Sequence, residues 1–98
     1  MPAAEPASVV ARDGETLRFS GALLRDAVTG LWKQAAPRLD GVRRIDLAAV
    51  PRVDSAGVAL LAELAARCEG EPVIAGSPAG LQELRAAYRL APSLAFSS

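Results

Sequence analysis

The stretch from Arg43 to Cys68, R-R-I-D-L-A-A-V-P-R-V-D-S-A-G-V-A-L-L-A-E-L-A-A-R-C, constrains this chain more than any other part of it. It opens with a period-2 alternation in which Ile45 and Leu47 can face a core while Arg44 and Asp46 face away, the signature of a strand. Pro51 has no N–H to give to a ladder and stops it. Asp54 and Ser55 follow, two residues whose side-chain oxygens cap free helical N–H groups. After them Val58, Leu61, Ala65 and Cys68 recur at helical spacing. The turn Asp54-Ser55-Ala56-Gly57 is thereby placed between a strand and the positive end of a helix, where open α/β sheets present their working surface.

The flanking segments supply the rest of a sheet. Ser8–Arg12 and Glu15–Ser20 flank Asp13-Gly14, a dipeptide suited to a two-residue hairpin turn, and Leu17 and Phe19 give the second strand a buried face. From Ser20 or Gly21 onward, Leu24, Ala27, Val28, Leu31 and Ala35 mark an amphipathic helix that ends before Pro37, with Trp32 at the edge of the apolar stripe. Gly70 suits a helix C-cap, and Glu71–Ala75 reads as a further strand. Ser77-Pro78 reads as the N-cap and first residue of a last helix whose inner face is Leu81, Leu84, Ala87 and Tyr88. Strand, helix and strand in succession form a βαβ unit, so part of the sheet is parallel. The predicted class is α/β in the order β-β-α-β-α-β-α, with a mixed β-sheet of about four strands and about three to four helices. A chain of 98 residues has room for one core, so residues 1–98 read as a single domain with its core over about 8–90. Residues 1–7 read as a flexible N-terminus. From Leu90 the chain reads as a tail, flexible over 91–98, with Leu94 or Phe96 against the body.

Composition removes several function classes. Lys plus Arg and Asp plus Glu both count 11, and no basic stripe marks a nucleic-acid surface. Arg43, Arg44 and Arg52 cluster, but Asp40, Asp46 and Asp54 offset them, which reads as a solvated rim rather than a lipid-binding patch. With no histidine, a Ser-His-Asp triad and a His-based zinc site are ruled out. Cys68, the only cysteine, reads as a small buried hydrophobe. Asp54 and Ser55 are adjacent in the chain and so badly aligned for proton transfer, and no His or Lys stands beside them. The glycine cluster Gly76–Gly80 matches neither G-x-x-x-x-G-K-[ST] nor G-x-G-x-x-G, which weighs against a nucleotide site. The N-terminus lacks the basic and apolar regions of a signal peptide, and Ala56–Ala66, broken by Glu63, is too short to span a bilayer. The expectation is a cytoplasmic protein that is not an enzyme and needs no metal or cofactor. Arginine so outnumbers Lys33, the only lysine, that the coding sequence reads as GC-rich and bacterial.

Ile45-Asp46-Leu47, then Val53-Asp54-Ser55-Ala56-Gly57 running into Val58-Ala59-Leu60-Leu61, together with the order of elements, resemble a STAS domain. That module is shared by sulfate transporters and anti-sigma factor antagonists. The likeness covers roughly residues 14 to 92. Anti-sigma factor antagonists more often read D-S-S-G-L-G where this chain has Ala56 and Val58-Ala59. That departure, with Leu31-Trp32 in the first helix, points instead to the small STAS subunits of bacterial phospholipid ABC transporters. The resemblance implies a partner surface made of Trp32, Arg52, Val53, Asp54, Ser55, Ala56, Gly57 and Leu60. It implies as partner the ATPase subunit of such a transporter, at the inner membrane, in a system maintaining outer-membrane lipid asymmetry. Ser55 matches the position phosphorylated in many members of the family, so a phospho-switched anti-sigma factor antagonist is the alternative. On the residues alone, Ser55 is also explained as a helix-start residue and Trp32 as a boundary residue of the core. Whether the isolated chain forms a homodimer stays open.

Overall fold

Pairing along the chain starts with a hairpin and continues through two crossovers, in a computed structural model that describes residues 8–90. The elements are β1 (Val9–Asp13), β2 (Thr16–Ser20), α1 (Arg25–Ala35), β3 (Arg44–Ala49), α2 (Ser55–Arg67), β4 (Val73–Ala75) and α3 (Leu81–Ala87), with a 3-10 turn at Ala36–Arg38 after α1. This is the order the sequence predicts. The expectations for residues 1–7 and for Leu94 and Phe96 lie outside the described residues.

The four strands lie in the order β1-β2-β3-β4. β1 runs antiparallel to β2, whereas β2–β3 and β3–β4 are parallel, so the sheet is mixed. The hairpin turn is one residue later than expected. Asp13 pairs with Thr16, so Gly14 and Glu15 form the loop. Gly14 takes φ +58 at its first position, the place a type II′ turn reserves for glycine. Two successive crossovers in one direction put α1 and α2 on the same face of the sheet when both are right-handed, and burial agrees. Leu17, Phe19, Ile45 and Leu47 are fully buried beneath the helices, while Arg18 and Arg44 on the opposite face are exposed. On that open face Arg18 reaches Asp46 at 3.4 Å and Asp13 at 3.8 Å.

Beyond the main ladder the three parallel strands are stitched together once more. Leu23 bridges to Val53, and Arg52 bridges to Ala79, both in parallel. The Leu23 N–H donates to Arg52 O at 3.0 Å, the Val53 N–H to Ala79 O at 3.0 Å and the Ala79 N–H to Pro51 O at 3.1 Å. These bonds hold the backbone extended further than the sequence suggests and so correct two helix starts. α1 begins at Arg25 rather than at Ser20 or Gly21. α3 begins at Leu81, with Gly80 at φ +91 before it, rather than at Ser77-Pro78. A Cβ on Gly80 would stand 2.6 Å from Val53 O, so the turn into α3 closes only with glycine. β4 starts at Val73 instead of Glu71 because Pro72 has no N–H for the ladder, and the Val73 N–H donates to Arg43 O at 2.9 Å. Cys68, not Gly70, is the C-cap of α2, and Gly70 lies two residues further at φ +71.

The core joins Val58, Leu61, Leu64 and Ala65 of α2 and its C-cap Cys68 to Leu31 and Ala35 of α1 and to the sheet. Cys68 is the buried residue expected, and its thiol donates to Leu64 O at 3.4 Å. Burial pushes its pKa up, so it stays protonated. α3 differs from expectation on its inner face: Leu81 is buried and Leu84 half-buried, but Ala87 and Tyr88 are exposed. Leu90, expected in a tail, is a core residue at 8% exposure. The chain returns there through Arg89, at φ +54, with the Leu90 N–H donating to Arg85 O at 2.8 Å and the Arg89 N–H to Ala86 O at 3.2 Å. That is a Schellman closure, which carries the apolar residue after it back onto the helix.

Candidate functional site

The turn at 53–57 is built by Asp54 and Gly57. Asp54 is extended, at φ −108 and ψ −175, and its Oδ1 accepts from the Gly57 N–H at 2.8 Å, capping α2. Gly57 lies directly on the carbonyl oxygen of Leu23, where any Cβ would collide, so α2 can approach the α1 connector only with glycine here. Asp54 Oδ2 accepts from the Arg25 N–H at 2.9 Å. Partial burial pushes the Asp54 carboxyl up. The N–H groups of Gly57, Arg25 and Ala56 outweigh it, and the pKa falls below the ordinary 3.8.

The outer side of α2 carries Ser55 and Ala59 exposed and Ala56 and Ala62 half-buried. A cleft lies on either side of this ridge. The first, about 440 Å³, is lined by Arg25, Ser55, Ala59, Ala62, Tyr88 and Leu90. The second, about 490 Å³, is lined by Val28, Trp32, Ala56, Leu60, Glu63 and Arg67. Trp32 is half-buried against the core, as its place at the edge of the stripe suggests. The Arg67 guanidinium lies over its ring, 4.9 Å from the centroid, and also pairs with Glu63 at 3.4 Å. Apolar walls with a few charged residues among them suit protein contact.

Trp32, Ala56 and Leu60 thus meet in one cleft, while Ser55 stands at the other, with Ala56 and Ala59 lining both. Arg52 is exposed at the turn, whereas Val53 and Gly57 are buried beneath it and form its floor. Arg25, Tyr88 and Arg67 complete the clefts and were not legible in the sequence. Arg67 had a weak signal, its i,i+4 spacing from Glu63, but nothing placed it on Trp32. Among the described residues, no group of His, Cys, Asp and Glu is placed to hold a metal ion, and no helix is long and apolar enough to cross a membrane.

The family profile described as "Mlab, STAS domain" matches residues 8–94. The chain belongs to the MlaB-type STAS family. Among curated proteins, this STAS domain is 43% identical over 51 residues to the intermembrane phospholipid transport system binding protein MlaB of Escherichia coli (strain K12). The same identity over the same length relates it to MlaB of Shigella flexneri. In each case the match spans about half of both chains, 52% of this STAS domain and 53% of the relative. The likeness read from I-D-L and V-D-S-A-G is therefore one of descent, and the mixed four-stranded sheet with its three helices is the STAS fold.

Proposed function

We propose that this STAS domain is a non-enzymatic subunit that binds and stabilises the ATPase of an ABC-type phospholipid transporter, an MlaF-like protein, on the cytoplasmic side of the inner membrane. There it supports outer-membrane lipid asymmetry. The observation that carries the reading is the pair of apolar clefts flanking the first turns of α2, in a chain similar to proteins named for phospholipid transport. Ser55, Ala56 and Trp32 make the contact together with Arg52, while Val53, Asp54 and Gly57 shape the turn beneath and Leu60, buried in the core rather than at the surface expected of it, forms the floor of the Trp32 cleft. The domain contributes no bond-making step. By binding the assembled ATPase better than the dissociated one, it raises the assembled population by mass action.

Affinity purification of the tagged full chain from its native cells tests this. Recovery of an ABC ATPase with its permease is expected. Trp32→Ala and Ser55→Glu each weaken that recovery while the far-UV circular dichroism stays that of the wild type. Glu is tolerated in the first turn of α2 because it lies at the positive end of the helix. Normal recovery by both variants removes this surface assignment. The exposure of Ser55 at the α2 start favours a second reading, in which a kinase-type anti-sigma factor is the partner and phosphorylates Ser55. Recovery of such a kinase, with phosphate on Ser55, selects it.

A further inference from the structure

Asp54 stands between the two helices that wall the Trp32 cleft, and its two oxygens face inward to different helices. Oδ1 caps α2 through Gly57, as an N-cap three residues ahead of its donor does. Oδ2 accepts from the backbone N–H of Arg25, 29 residues away and the first residue of α1. Leu24, at the N-cap position of α1, offers no side-chain acceptor, so α1 takes its cap from the residue that caps α2. The backbone ties the same junction: the Asp54 N–H donates to Leu23 O at 3.2 Å, and the Leu23 N–H to Arg52 O at 3.0 Å. Arg25 lines the cleft beside Ser55, and Val28, one turn further along α1, lines the cleft beside Trp32.

We propose that Asp54 is a positioning residue: by capping α1 and α2 with one carboxylate, it locks the Val53–Gly57 turn and the Trp32 cleft into a single rigid docking unit. A partner that meets the turn then finds the α1 wall of the cleft already in place, and no ordering of α1 has to accompany binding. The chemistry asks for a carboxylate. Both N–H groups need an acceptor, and an amide has only one acceptor oxygen, so its NH2 would oppose one of them. For the identity of the partner this rests on the docking reading above. The coupling itself belongs to the isolated chain.

The Arg25 N–H can be deleted without touching Asp54. Position 25 is the first of α1, where proline is favoured, and Leu24 before it is extended at φ −114 and ψ 164, as a residue preceding proline must be. Arg25→Pro removes the N–H and the side chain, whereas Arg25→Ala removes the side chain alone. The full chain is compared in the two variants and the wild type by methyl NOEs from Val28 to Ala56 and Leu60, and by titration with the ATPase recovered by the wild type. Asp54→Asn serves as a second, independent variant. Wild type and Arg25→Ala are expected to agree in the NOEs, and Arg25→Ala sets the reference affinity, because the Arg25 side chain itself lines the cleft beside Ser55. Arg25→Pro is expected to melt no lower than Arg25→Ala yet, relative to it, to lose NOE intensity across the cleft and about fivefold in affinity, the worth of one cap. Undiminished NOEs in both Arg25→Pro and Asp54→Asn overturn the coupling whatever the partner does. Weakened NOEs with unchanged affinity overturn its part in docking. Failure of the wild type to retain any ATPase defeats the docking reading instead, and the NOE comparison still decides the coupling.

Discussion

Asp54 holds two helix starts through its charge, and a pH dependence follows. Its folded pKa lies below the ordinary value, because the N–H groups it accepts from overcome the upward push of partial burial. Asp46 is lowered too, chiefly by the Ala48 N–H at 2.9 Å and also by Arg18. A depressed pKa contributes stability that is fully present above the unfolded aspartate value and is lost as pH falls through the folded one. The urea midpoint is therefore expected to hold from pH 7 to about 5 and to drop below about 4. Asp54→Asn is expected to be less stable than the wild type at pH 7, with the gap narrowing as the pH falls below the ordinary aspartate value and through the lowered folded one. A gap that stays constant across that range would mean that the charge contributes nothing.

Among the elements, the edge strands show how the molecule limits pairing with other chains. The free edge of β1 is closed by α1 and the 3-10 turn after it: the Val10 N–H donates to Gln34 Oε1 at 3.2 Å, and Arg38 donates to Val10 O at 3.4 Å. At the other edge β4 is only three residues long and follows Pro72. Short, occupied edges discourage strand addition. The double variant Gln34→Ala/Arg38→Ala exposes both groups of Val10 and is expected to self-associate more than the wild type in sedimentation velocity. Unchanged sedimentation would show that the edge is closed by something else. These contacts also mark where the sequence was legible. Ile45, Leu47 and the α2 stripe announced themselves because periodicity and burial have one cause. The same holds for Asp54 as a cap, a local interaction over three residues. The starts of α1 and α3 were not legible. They are set by hydrogen bonds from Leu23, Val53 and Ala79 to backbone distant in sequence, which override the local signals of Ser20-Gly21 and Ser77-Pro78. The same limit hid half of the site: Trp32 and Ser55 stood out by residue type, whereas Arg25 and Tyr88 reach the cleft only through the fold.

At the scale of the whole molecule, one apolar layer lies between the sheet and the helices, and its last described member is Leu90. Arg89 carries the chain into it in the left-handed region, without the glycine that usually announces such a closure. Leu90→Ala is expected to lower the unfolding free energy by about 2 kcal/mol in chemical denaturation, the cost of emptying a core leucine site. A loss under about 0.5 kcal/mol, typical of surface positions, would end the core before Leu90. The other face of the sheet carries Arg18, Arg44 and Asp46, so both clefts belong to the helical side. Trp32 is the only tryptophan in the chain, and a guanidinium rests on its ring. Indole fluorescence from the unlabelled protein therefore comes from that cleft alone, and any surface that displaces Arg67 alters its colour and yield. The molecule carries its own optical gauge of whether the cleft is filled.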